Sequence, residues 1–306
     1  MKRIDRDRIR KALTGPIASV RPPFRRDGSI DERGLTRALE FNIEAGTGTL
    51  LLTYGDSHYD IMTDREVEYM TRLTVRQAAG RALVVAADRN CGTPAAVKFA
   101  RYCRGLGADV LMIKPPDWGH SATPESLAAH YKAVAREIPV MLVTNMFGPR
   151  GHEFGMRTME LVRKGVPGVV AVKDDIRGQF ARNMTRRFHG DWAIFAGGQK
   201  QSHWDLRSCG ACGYLSTFVT FKPEVAWRYW NAIQAGRLPE AEKVIRDIDK
   251  PFFDLIMKMP GGFDAGIHGV LELAGICGRW RRSPHHSLSG PEMDRLAKGL
   301  AKLGIL

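Results

Sequence analysis

Short apolar runs recur along this chain, each followed by a stretch of helical spacing, and that repeat is what most limits the folds open to it. The runs cover residues 17–20, 49–54, 82–87, 109–114, 139–144, 168–173, 192–197 and 213–218. They are continuous rather than alternating, as expected of strands covered on both faces in a parallel sheet. The helical stretches between them cover 31–45, 63–79, 93–106, 124–137, 157–164, 178–188, 202–208 and 223–235. In the first, Leu35, Leu39 and Ile43 share one face. In the second, Thr63 and Glu66 have the spacing of a capping box. Pro94 suits the first turn of the third. Units of roughly 30 residues are the size of a strand–helix repeat, and eight of them close into a (β/α)8 TIM barrel. An open doubly wound sheet would carry a Gly-rich turn after its first strand, where this chain has Arg21-Pro22-Pro23. The expected barrel therefore spans 1–235, beginning with a charged leader. A C-terminal helical region spans 236–306, with helices over 238–258, 263–277 and 291–303.

Composition narrows the function classes. The 306 residues are 44% hydrophobic and 26% charged, enough for a large core. No run of about 18 apolar residues exists, so no membrane span is expected. The five cysteines are odd in number, and the leader MKRIDRDRIRK has no apolar signal core, which points to a cytoplasmic protein. The net charge of +13 is spread along the chain, with no nucleic-acid motif beside it. A carboxylate substrate fits that charge better than DNA or RNA.

In a barrel the chemistry sits at the C-terminal ends of the strands. The sixth run, Val169-Val170-Ala171-Val172, ends there on Lys173. Burial disfavours an ammonium, which suits an amine nucleophile. Such an amine attacks a ketone to give an imine, and the imine withdraws electrons from an adjacent bond. The plainer reading pairs Lys173 with Asp174 or Asp175 at the sheet edge. Lys114, ending the fourth run, offers either a second cation near Lys173 or a salt bridge to Asp88 or Asp117. The same rule nominates Thr53, Tyr54, Thr144, Gly197 and the end of the eighth run around Leu215. The loops after the second and fifth runs add Gly55, His58, Tyr59 and Arg150.

These residues resemble the dihydrodipicolinate synthase / N-acetylneuraminate lyase family of pyruvate-type aldolases, over most of the chain. The likeness runs through Gly15-Pro16-Ile17, Asp27-Gly28-Ser29-Ile30-Asp31, Thr53-Tyr54-Gly55-Asp56-Ser57 and Val169-Val170-Ala171-Val172-Lys173-Asp174. It implies a barrel with a C-terminal helical appendage, assembled as a homotetramer or homodimer. It implies Lys173 as the Schiff-base lysine, without a cofactor or a metal. It implies Thr53, Tyr54 and Gly55 as the receptor of a substrate carboxylate, with Gly197 and Leu215 lining the site. Arg150 is a further candidate for the carboxylate. The expected substrate is a 2-keto acid, pyruvate or a compound that releases it, with an aldehyde as possible partner. The family ends its fifth strand on Tyr-Asn, with the tyrosine moving protons. Here the stretch reads Leu142-Val143-Thr144-Asn145. Threonine is a poor acid or base by itself. Thr144, Tyr59 and His58 are thus the candidates for proton transfer, and condensation of the dihydrodipicolinate synthase type is not expected. A keto-acid dehydratase or hydratase-aldolase, and a keto-acid-binding protein without catalysis, are the other readings of the same scaffold.

Other motifs carry less. Cys209 and Cys212 form a CxxC with no second half, and read as packing at a helix–strand junction. The stretch Gly197-Gly198-Gln199-Lys200-Gln201-Ser202 lacks the spacing of a phosphate loop. His285 and His286 fall in a turn, with no further ligands at a recognisable spacing.

Overall fold

A computed structural model describes residues 4–306. Eight parallel strands close into one barrel in sequential order, β1 Gly15–Ser19, β2 Thr49–Leu51, β3 Leu83–Ala87, β4 Val110–Ile113, β5 Val140–Val143, β6 Val169–Asp174, β7 Ala193–Ala196 and β8 Gly213–Leu215. β8 pairs back onto β1 through Gly15 and Gly213, Pro16 and Tyr214, and Ile17 and Leu215. The expected barrel is therefore the observed one, with C-terminal helices added. Among the described residues no helix is long and apolar enough to cross a membrane.

Side chains of a strand point alternately to its two faces, and the packing follows that period except at the start of β6, where the pairing with β5 shifts register after Val140. Met141 and Val143 of β5, Ala171 of β6, and Ala193 and Phe195 of β7 join the cluster inside the barrel. Val140, Leu142, Val169, Val172 and Ile194 pack outward under the helices. All are buried, and each large one contributes roughly 1.5–3 kcal/mol by leaving water. The sequence shows unbroken apolar runs because both faces are covered. The same alternation, carried two residues beyond Ala171, turns Lys173 into the barrel.

Helices form where the chemistry of their ends expects them. Thr63 caps Asp64–Ala78 with the full capping box to Glu66. Thr93–Leu106 and Gly178–Phe188 match their expected limits. Several elements differ from expectation, such as the helix expected over 157–164, which runs over His152–Gly165, and two differ most. The charged leader contains a helix, Arg6–Ala12, that closes the N-terminal end of the barrel with buried Ile9. Arg6 donates to the carbonyls of Asp191 (3.1 Å) and Val169 (3.0 Å), Arg10 to that of His189 (2.8 Å), and Arg8 pairs with Asp109 (2.9 Å). Its apolar face is too narrow for periodicity to reveal. The long C-terminal helix is also interrupted. Leu238–Val244 passes through one π-helical turn, Ile245–Asp249, before Lys250–Met257. That turn brings Asp249 against Lys200 at the barrel wall.

Candidate active site

Lys173 lies at the C-terminal end of β6, its side chain 9% exposed, and its amine is ion-paired with the Asp175 carboxylate. The pairing expected from the plainer reading forms, with Asp175, and it forms at the C-terminal ends of the strands. β7 is shaped around it. Gly197 donates its N–H to the Asp174 carbonyl at 2.7 Å. A Cβ at position 197 would sit 1.9 Å from Asp175 Oδ1 and 2.9 Å from Lys173 Nζ, so only glycine leaves the amine room. A Cβ at Gly198 would lie 2.9 Å from Arg177 Nη2, which places that guanidinium over the β7 turn. Arg177 itself has φ +66°, a costly conformation for a side chain of this size.

Thr144 does not face the amine. It opens a 3-10 turn, Thr144–Arg150, right after β5. Its hydroxyl donates to Asp174 Oδ1 at 2.9 Å and accepts from the Asp175 N–H at 2.9 Å. Asp174 Oδ2 in turn accepts from the Arg177 N–H at 3.2 Å. Burial raises the pKa of Asp174, and the Thr144 hydroxyl partly offsets this. Thr144 is therefore a fully engaged brace on the segment that carries Asp175.

The turn after β2 is tied at every side chain. Ser57 donates to the Val20 carbonyl (2.6 Å) and accepts from the Thr53 N–H (3.0 Å). Thr53 Oγ1 accepts from the Asp56 N–H at 3.0 Å, and Asp56 pairs with buried Arg21 at 2.8 Å. Among the described residues the N–H groups of Tyr54 and Gly55 find no acceptor, which leaves two backbone donors free. The Tyr54 hydroxyl donates to Asp88 at 2.7 Å, at the end of β3. Burial raises the Asp88 pKa to about 6, against the pull of that hydroxyl. Burial, with the Asp88 charge behind it, pushes the Tyr54 phenol well above its ordinary value. Lys114 lies over the Tyr54 ring, 5.7 Å from its centroid, instead of pairing with Asp88 or Asp117.

Three expected site residues are engaged elsewhere. His58 turns to the C-terminal region, where Nε2 is 3.0 Å from Asp264 Oδ1. The Tyr59 hydroxyl lies among the outer helices, facing Thr71 and the Cys103 thiol, and burial drives its pKa up. Arg150 is clamped to Asp117 at 2.6 Å and to the Ala122 carbonyl at 3.0 Å, over the Phe154 ring. Leu215 is inside the barrel with Phe195. Residues that sequence reasoning undervalued are Asp175, Arg177 and Asp88. Asp88 carried a signal, since it ends an apolar run. Arg177 carried none, because its placement depends on a backbone conformation that its residue type disfavours.

Comparison with known proteins identifies the family of the chain. The model of the Dihydrodipicolinate synthetase family matches residues 12–303. The "4-hydroxy-tetrahydrodipicolinate synthase" of Methylococcus capsulatus is 27% identical over 254 residues, covering 80% of this chain and 84% of that one. A Streptomyces avermitilis protein named "Probable 5-dehydro-4-deoxyglucarate dehydratase 2" is 26% identical over 297 residues, covering 96% and 85%. Among solved structures, N-acetylneuraminate lyase from Fusobacterium nucleatum complexed with pyruvate superposes with a TM-score of 0.83 at 18% identity, covering 95% and 97%, a likeness of fold. The chain belongs to the dihydrodipicolinate synthetase family, and is an enzyme of that family.

Proposed function

We propose that this enzyme is a lyase that binds a 2-keto acid as a Schiff base on Lys173. The observation that carries the reading is the Lys173 amine turned into the barrel mouth and held against the half-buried Asp175 carboxylate. Asp175 accepts the ammonium proton, and the freed amine attacks the keto carbon. The carbinolamine then loses water to give the protonated imine. That imine takes up the electron pair released when an adjacent C–C or C–H bond breaks. The free Tyr54 and Gly55 N–H groups and the Arg177 guanidinium are suited to the substrate carboxylate. Thr144 serves as a positioning residue for Asp174 and Asp175, in place of the proton carrier expected from sequence.

A second reading, dehydration of the keto acid, is favoured by that same replacement. Loss of water beyond C3 needs a base at C3 and an acid at the departing hydroxyl, and it needs no aldehyde to be accepted. A carboxylate beside the imine can supply the base. The similarity to the Streptomyces avermitilis protein named for a dehydratase is in keeping with this.

The test is borohydride reduction in the presence of pyruvate and a panel of keto acids, followed by peptide mass analysis. The expected result is an adduct on Lys173 that Lys173→Ala lacks. No adduct with any keto acid, or one on Lys114 with Lys173 unmodified, overturns the proposal. Product analysis then separates the readings: an aldehyde marks C–C cleavage, and an unbroken carbon chain marks dehydration.

A further inference from the structure

His58, Asp264 and His268 place one donor atom each within 4.8 Å of one another. We propose that they form a binding site for a first-row divalent transition-metal ion, which pins the turn after β2 to the C-terminal helical region.

Asp264 and His268 are four apart on the helix Gly262–Leu273, so they share a face. His58 comes from the opposite side, in a left-handed conformation with φ +55° and ψ +41°. Asp264 Oδ1 is 3.0 Å from His58 Nε2 and 3.7 Å from His268 Nε2. Bonds of about 2.0 Å at tetrahedral angles put donors about 3.3 Å apart, and the two observed spacings bracket that value.

The second observation is independent of spacing. His268 is 0% exposed, and neither ring nitrogen has a hydrogen-bond partner among the described residues. A buried imidazole without partners is costly, and an ion or an enclosed water is the ordinary remedy.

The outer contacts leave that donor set facing inward. Arg281 Nε donates to Asp264 Oδ2 at 3.1 Å, while Oδ1 faces His58 Nε2 at 3.0 Å, the contact an ion would bridge. Arg21, the other nearby cation, is already paired with Asp56. A cavity of about 320 Å³ borders His58 and Asp264, with Asp60 and His285 on its wall, and gives room for a water or a small ligand as the remaining donor. Two imidazoles and one carboxylate suit zinc, cobalt, manganese or iron(II) rather than calcium or magnesium. His58 stands some two hundred positions before the Asp264–His268 pair, which is why histidine spacing in the sequence gave no hint of the site.

The test uses the full chain, stripped with a chelator and titrated with Zn²⁺ against a chromogenic competitor. One equivalent is expected to bind per chain. His268→Asn and Asp264→Asn should each weaken binding at least about tenfold. His286→Asn, an exposed neighbour paired with Glu292, should leave it unchanged. The metal should also raise the melting temperature of the wild type and not that of His268→Asn. Co²⁺ in the wild type should give the intense visible bands of a four- or five-coordinate site, a readout that holds even where a variant fails to fold. Zinc binding equal in wild type and His268→Asn overturns the proposal, as does cobalt that stays spectroscopically aqueous. An enclosed water on His268 alone would give that outcome. Lys173→Ala is expected to bind zinc like the wild type, which keeps this result separate from that of the Schiff-base experiment.

Discussion

Lys173 and Lys200 stand near the ends of neighbouring strands, both buried and both paired with an aspartate, yet they are built for opposite ends. Lys200 Nζ is 2.6 Å from Asp249 Oδ1, with both side chains 0% exposed and the amine 4.2 Å from the centre of the Phe218 ring. Its carboxylate comes from a distant π-helical turn packed onto the barrel wall. Lys173 takes its carboxylate from two residues further along, on a loop, and that carboxylate is 22% exposed. An amine can attack a carbonyl only after it separates from its counter-ion. Asp175 can be resolvated when that happens, whereas Asp249 would be stranded in the core. The glycine at 197 leaves space beside Lys173, and aromatic rings fill the space beside Lys200. Two lysine–aspartate pairs of the same composition therefore divide into a candidate nucleophile and a structural tie.

The largest expected effects test that division directly. Lys173→Ala should lower turnover by at least about 10³-fold and abolish imine trapping. Its stability in chemical denaturation should fall by less than that of Lys200→Ala, since the Asp175 left behind is 22% exposed and can be resolvated. Lys200→Ala should do the reverse. Removing one partner of a fully buried pair costs about 3–5 kcal/mol, while trapping at Lys173 persists in the folded protein. Burial lowers the Lys200 pKa. If Lys200→Ala proves neutral in denaturation, the contrast is broken. The double variant Lys200→Met with Asp249→Leu should regain stability to within about 1 kcal/mol of wild type, because both charges leave together.

Asp88 sharpens the comparison from the acid side, as a buried carboxylate without a cation partner. Its pKa in the folded protein is raised from 3.8 to about 6, chiefly by burial. Between these values the folded state holds a proton that the unfolded chain has released. Stability from this group therefore falls as pH rises from about 4 to about 6, by about 3 kcal/mol at most. Asp88→Asn should remove that part of the slope while keeping an acceptor for the Tyr54 hydroxyl. Denaturation midpoints of the two proteins from pH 4 to 7 decide it. Parallel curves would show that Asp88 titrates as an ordinary carboxylate.

What could be read in the chain follows the same physical line. The barrel was legible because each strand is buried on both faces and shows as an apolar run, and Lys173 was legible because it breaks such a run at the catalytic end. Residues outside regular elements were not. His58 and Tyr59 lie next to the Thr53–Ser57 turn in sequence, but a left-handed residue and a short 3-10 turn send their side chains to the C-terminal region and the helical layer. Arg150 looked free because its partner, Asp117, belongs to the loop of another strand. Lys200 followed a Gly-Gly turn that suggested a ligand, and only the π-helical turn at Asp249 reveals what it binds.

Thr144 offers the smallest effect and the finest distinction. As a proton carrier it would need a free hydroxyl aimed at the imine. As a brace it needs one that donates to Asp174 and accepts from the Asp175 N–H, and that is what its 2.9 Å contacts show. Thr144→Val keeps the shape and loses both bonds, at a cost of about 1–2 kcal/mol in stability. The loss also frees Asp174 and Asp175 to move, so turnover should fall modestly while trapping at Lys173 survives. Thr144→Ser retains the hydroxyl and should restore both stability and rate. The pH–rate profile separates the roles further: loss of a brace lowers the curve without moving its limbs, whereas loss of an acid or base removes a limb. A Thr144→Val enzyme with wild-type stability and a missing limb would return proton transfer to Thr144. It would also detach Asp175 from the support that makes the Lys173 pair differ from that of Lys200.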